Sequence, residues 1–148
     1  MVVFQFMSAA FGLDDLYKRR LKVSAISDMN DPFELLGGSL TNQINRRALL
    51  GHRDHIGEIS RVLCFSKNWT NPVLWSHYAD KHRGLCLGFE IPNENLTEVS
   101  YETDRLKTDL ESDYREHGTV GSDTSRKLLS TKYIDWRYED EVRMFVRL

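Results

Sequence analysis

Two cysteines in 148 residues, Cys64 and Cys86, exclude a disulfide framework as the source of stability. Each sits in an apolar run, Val62-Leu-Cys-Phe and Leu85-Cys-Leu, where a free thiol behaves as a small buried hydrophobe. No apolar run approaches the roughly 20 residues that a spanning helix needs, so no membrane segment is expected. Charge of one sign is also lacking. A net charge of -2 supplies no global attraction to nucleic acid, and the local cluster Lys18, Arg19, Arg20 and Lys22 reads as a solvated edge. There is no glycine-rich phosphate loop, no G-x-S-x-G elbow and no H-E-x-x-H helix, which leaves those chemistries unsupported. His52, Asp54, His55 and Glu58 lie close together but lack a second half with metal-ligand spacing, so no metal is expected. The opening Met1-Val-Val-Phe-Gln-Phe has no basic region followed by a long apolar stretch, and a cytoplasmic location is expected.

What is present suits one folded domain over residues 1–148: 41% hydrophobic residues, 11% aromatic, and no internal repeat. Val2 to Phe6 alternates as a strand, Leu13 to Arg20 has helical spacing, and Leu21 to Ala25 returns to strand character. The spacing of Ile44, Ala48, Leu49, His52, Ile56 and Ile59 predicts a helix over 42–59, capped by Asn42 and weakened by Gly51 and Gly57. Arg61 to Ser66 reads as a buried strand. Asn71-Pro72 is an N-cap followed by proline at the first helical position, which predicts a helix from Pro72 to Lys81 closed by Gly84. On it Leu74, Trp75, Tyr78 and Ala79 share one face. Leu85, Leu87 and Phe89 then alternate as a strand.

From Tyr101 to Lys132 the chain becomes polar, with a surface helix through Leu106, Leu110 and Tyr114 and a loop from Gly118 to Ser125. This stretch, about 101–132, reads as an insertion or lid. The segment from Trp136 to Leu148 alternates as a strand, with Trp136, Tyr138, Val142, Met144 and Val146 on one face. Glu139, Glu141 and Arg143 fall on the other, and a helix through Tyr138, Val142 and Phe145 is the competing reading. Short mixed elements without regular βαβ alternation predict an α+β domain, its curved, antiparallel-rich mixed sheet packed with short helices.

Four segments stand out: Asn30-Asp-Pro-Phe-Glu34, Cys64-Phe-Ser66, Trp75-Ser-His-Tyr-Ala79 with Gly84-Leu-Cys-Leu-Gly-Phe89, and Trp136-Arg-Tyr-Glu-Asp-Glu-Val-Arg143. Three of them have a plain structural reading. Asn30, Asp31 and Pro32 are turn chemistry, Trp75 and Tyr78 bury aromatic area, and the late charges form cross-strand or surface ion pairs. Taken together, the set resembles the bacterial domain-of-unknown-function family 2971, over about residues 4 to 145. One departure is the opening strand, Phe4-Gln5-Phe6, where that family commonly places a lysine between the aromatics.

The order of these elements is more distantly similar to ADP-ribosyltransferase folds. That resemblance implies NAD as the cofactor, with Gln5 as the first-strand polar contact, Phe65 and Ser66 as the second-strand element, and Tyr78 as a wall against nicotinamide. It makes Glu141, or Glu139, the catalytic carboxylate, with Arg143 in the same site. A fixed carboxylate would stabilise the positive charge that develops on the ribose as nicotinamide leaves. The acceptor, whether protein, nucleic acid or water, is not legible. Two other classes stay open: a non-catalytic interaction module of a defence or toxin system, and a hydrolase or nuclease using Asp31, Glu34 and the late glutamates with a divalent ion.

Overall fold

A computed structural model describes residues 1–26, 29, 43–104, 116 and 120–147. Asn30, Asp31 and Pro32, the cap Asn42, and the helix expected through Leu106, Leu110 and Tyr114 lie outside the described residues. The fold is α+β, with a mostly antiparallel sheet. Its residues gather into two units, the first formed by 1–23, 62–99 and 137–145, the second by 24–61, 100–136 and 146–148.

In the first unit, β1 (Val2–Met7) pairs antiparallel with β4 (Leu85–Glu90) on one side and with β3 (Ser60–Ser66) on the other. The strand order continues from β3 to β8 (Glu141–Arg147) and then to β5 (Thr97–Glu98). β3 is thus central, and Val62, Leu63, Phe65 and Ser66 are all buried, whichever face they occupy. Alternation along β1 sorts the two faces. Val3 and Gln5 stand opposite Phe89 and Leu87, on the side where α1 (Ala9–Lys18) brings Gly12 close to Leu85 and Met7. Phe4 and Phe6 point the other way, toward α3 (Pro72–Tyr78), where the Phe6 and Trp75 rings meet edge to face at 5.3 Å.

Local chemistry sets the helix ends. α1 begins at Ala9, four residues before the expected start, because Ser8 is extended and its hydroxyl accepts from the Phe11 amide. It ends where Arg19 turns left-handed and its amide returns to the carbonyls of Asp15 and Leu16. Of the strand expected from Leu21 to Ala25, only Ser24–Ala25 is paired. Asn71 and Pro72 start α3 as expected, the Asn71 carboxamide oxygen accepting from Val73 N at 2.9 Å. The helix stops at Tyr78 rather than Lys81, because Asp80, Lys81 and His82 all take positive φ and carry the chain around toward β4. At the end of this reversal Gly84 packs against backbone: a Cβ there would lie 2.1 Å from the Met7 carbonyl oxygen and 2.8 Å from the Ala79 carbonyl carbon.

The expected strand from Trp136 to Leu148 is corrected at its start. Ile134 to Glu139 form a 3-10 turn, Asp140 has φ 44, and the strand begins only at Glu141. Trp136 and Tyr138 therefore do not alternate with Val142, and Glu139 is not on the strand.

The second unit holds β2 (Ser24–Ala25), α2 (Gln43–Ile59) and a parallel pair, β6 (Ser100–Glu102) with β7 (Thr131–Tyr133). β2 pairs with β3, whose first residues, Ser60 and Arg61, belong to this unit. Where a loop to Ser125 was expected, Ser122–Leu129 form a helix, α4, whose Ser125 and Leu128 are buried. Ile26, Leu49 and Val120 are buried in the same unit. Among the described residues, no helix is long and apolar enough to cross a membrane.

The two glycine environments lead to opposite expectations. Gly84→Ala forces backbone apart and should lower stability by about 1–3 kcal/mol. Around Gly51, in α2, the space a Cβ would take is open, with nothing beyond the helix's own backbone within 4 Å. Gly51→Ala should instead stabilise by about 0.5–1 kcal/mol through helix propensity. Urea unfolding of the two variants beside the parent chain measures both.

Candidate functional site

The turn that ends at Asp140 and the start of β8 bring the two late glutamates beside the end of α3. Tyr78, from the last turn of that helix, donates its hydroxyl hydrogen bond to Glu139 Oε1. Burial, and then the Glu139 carboxylate, push the Tyr78 hydroxyl far above the ordinary tyrosine range, so it stays a donor. The charge of Glu141 acts on Tyr78 in the same direction. Next along the chain, Arg143 holds Glu141 with two parallel contacts, Nε to Oε1 at 2.8 Å and Nη2 to Oε2 at 3.1 Å. These are not surface charges: Glu139 and Glu141 are each 5% exposed and Arg143 is 1% exposed. The expected solvated ion pairs on an outer strand face are thus corrected. β8 lies beside the central β3, and at its start both faces are covered, with Val142 fully buried between the two charged residues.

Backbone contacts fix this turn in place. Ser66 Oγ donates to the Glu139 carbonyl oxygen at 2.6 Å and accepts from Asn68 N at 3.0 Å. Asn71 Nδ2 donates to the Tyr138 carbonyl oxygen at 3.0 Å, and Lys67 N donates to the Asp140 carbonyl oxygen at 2.9 Å. The cluster reaches the surface through His77, which is exposed and whose Nδ1 lies 3.1 Å from the Tyr138 hydroxyl. Sequence reasoning missed Asn71 and Tyr138 as members. Asn71 was legible as a cap, but one side chain here serves both purposes, its oxygen for the helix and its nitrogen for the turn.

The expected site residues divide between the two faces of the sheet. Ser66, Tyr78, Glu139, Glu141 and Arg143 come together as described. Gln5 and Phe65 do not join them: Gln5 shares the α1 face with Val3, and the Phe65 ring meets Phe89 at 5.8 Å on that face. The Gln5 carboxamide oxygen is buried there without a hydrogen-bond partner.

Residues 74–144 match the model of a family described as Protein of unknown function (DUF2971). The match supports the family resemblance carried by the motifs, and it spans Tyr78, Glu139, Glu141 and Arg143. No curated protein and no solved structure matches the chain.

Elsewhere the titratable groups are dispersed. Among the described residues, no group of three or more His, Cys, Asp or Glu side chains gathers as a metal site. His52 is 6% exposed, its Nε2 lies 2.8 Å from Ser125 Oγ, and its Nδ1 is buried without a partner. Neither cysteine is in a disulfide among the described residues, and burial pushes the Cys86 thiol up to about 11.

Two predictions come from these buried charges. Arg143→Met leaves the Glu141 carboxylate buried without its guanidinium and should lower stability by about 3–5 kcal/mol in urea unfolding. Burial, with a smaller contribution from His55, lowers the His52 pKa below the usual 6.5. The unfolded chain then binds more protons than the folded one as pH falls through that range, so acid weakens the fold. Stability measured from pH 7.5 to 5 should fall less steeply in His52→Gln than in the parent.

Proposed function

We propose that the chain is an NAD-consuming transferase or glycohydrolase in which Glu139 is the carboxylate that faces the ribose. The observation that carries this reading is the buried Glu139 carboxylate against the Tyr78 hydroxyl, beside a second glutamate already matched by Arg143. Both oxygens of Glu141 engage a guanidinium, so its charge is compensated where it stands. Glu139 meets the phenolic end of the Tyr78 ring, and that ring packs edge to face with exposed His77. The residues fit the substrate chemically: Tyr78 and His77 supply aromatic surface for the nicotinamide ring, and the carboxylate supplies an acceptor for ribose hydroxyls.

In the reaction, the bond between the nicotinamide nitrogen and the ribose breaks, and its electron pair leaves with nicotinamide. Positive charge grows on the sugar. An anion fixed in a low-dielectric setting stabilises that charge without reorganising, which is where such groups contribute most. A nucleophile on an acceptor, or water, then forms the new bond to the ribose and releases a proton. Tyr78 keeps Glu139 oriented, and the Glu141–Arg143 pair holds the start of β8. The resemblance to family 2971 supports the choice of these residues and says nothing of the chemistry. A toxin or defence role would follow from the acceptor.

Nicotinamide release by the purified protein, with and without candidate acceptors, tests the reading. Glu139→Gln keeps size and removes charge, so turnover should fall roughly 100-fold with NAD affinity nearly unchanged. Loss confined to Glu141→Gln, with the fold intact, would exchange the two roles. A parent protein that neither binds NAD nor releases nicotinamide would overturn the proposal in favour of an interaction module.

A further inference from the structure

On the opposite face of the sheet from Tyr78, an open cleft of about 440 Å³ lies between the end of α1 and β4. That volume is within the roughly 300–1,000 Å³ of small-molecule sites. Leu16, Leu21, Leu87 and Phe89 give it apolar walls, and Asp15, Arg19 and Arg20 give it charge. The charges are not equivalent. Arg20 Nη2 already lies 3.2 Å from Asp14 Oδ2, and Asp14 also holds Lys18 at 2.7 Å. Asp15 and Arg19 line the same cleft, yet neither side chain forms a hydrogen bond or ion pair among the described residues.

Asp15 is only 9% exposed, and its carboxylate has no hydrogen-bond or ion-pair partner among the described residues. A second acceptor on this face also lacks a partner. Gln5 stands opposite Leu87 across the β1–β4 ladder, and its carboxamide oxygen is buried without a donor. The cleft region therefore combines acceptors that lack a donor, a guanidinium fork that lacks an acceptor, and an apolar wall with one aromatic ring.

We infer that this cleft binds a small apolar α-amino acid in its zwitterionic form. The ammonium group meets the Asp15 carboxylate, the ligand carboxylate meets the Arg19 guanidinium, and the side chain lies against Leu16, Leu21, Leu87 and Phe89. Charge balance separates this ligand from a mononucleotide. A phosphate dianion would meet a single unpaired guanidinium beside an unpaired carboxylate, whereas a zwitterion satisfies one charge of each sign. Such a ligand is independent of the NAD reading, and titrating it involves no NAD.

Calorimetric titration of the whole chain with L-leucine and L-phenylalanine is the direct experiment, alongside N-acetyl-phenylalanine, phenethylamine and AMP. Saturable binding of at least one free amino acid is expected. The two phenylalanine analogues, each missing one charge, should bind about 10-fold or more weakly. Arg19→Gln and Asp15→Asn should each weaken binding about 10-fold with the melting temperature retained, while Arg20→Gln, already paired to Asp14, should change it little. If Asp15→Asn does not fold, Arg19→Gln decides alone, because Arg19 is an exposed side chain. Failure of both amino acids to bind overturns the inference. So does unchanged affinity in Arg19→Gln, or AMP binding in their place.

Discussion

The hydroxyl of Ser66 carries more of this architecture than its size suggests. It ends the central strand, donates to the Glu139 carbonyl at 2.6 Å and accepts the Asn68 amide, so one side chain ties β3 to the turn that precedes β8. Because Ser66 is also the cross-strand partner of Phe4, the same point sets the register of β1, which in turn places Phe6 against Trp75 of α3. With α3 located, Tyr78 is located, and its hydroxyl meets the Glu139 carboxylate. A buried hydroxyl left without its acceptor is destabilising by about 1–3 kcal/mol, enough to make this junction a constraint on everything after it.

Glu139 is buried in the turn before β8, and Glu141 and Arg143 at the start of that strand, because of where the fold places them rather than because of their own character. Glu141, Val142 and Arg143 at the start of β8 are all buried, so neither face of the strand offers solvent to the charged side chains there. They persist there because each finds a partner of matching geometry, a bidentate fork for Glu141 and a phenolic hydroxyl for Glu139.

How far this was legible depended on how local the deciding physics was. Asn71-Pro72, the alternation of β1 and β4, and the apolar run of β3 each reflect contacts within a few residues, and the structure has them where the sequence places them. Ser8 is an equally local signal, outweighed in α1 by the apolar spacing that starts at Leu13. The start of β8 was not local. Trp136 and Tyr138 imitate the strand period, and only the reversal at Asp140, set by contacts to Lys67 and Arg137, ends the 3-10 turn and starts the strand. Charge alternation in Glu141 and Arg143 suggested a wet face, because one sequence cannot say whether both faces of a strand are covered. The grouping of Ser66, Tyr78 and the two glutamates came from the resemblance, while the separation of Gln5 and Phe65 from them is a property of strand parity that pairing alone could reveal.

The left-handed run at Asp80, Lys81 and His82 has a consequence for how the chain can be improved. Three successive side-chain-bearing residues with φ of 45, 54 and 66 each hold a conformation that disfavours a Cβ by roughly 1–2 kcal/mol in the worst case. None of the three belongs to the Tyr78–Glu139 contact or to the α1 cleft, and all are exposed. The chain therefore sits below the stability its own backbone permits. Glycine or asparagine at these positions gives an engineer reserve stability with which to offset more disruptive changes in the buried carboxylate cluster.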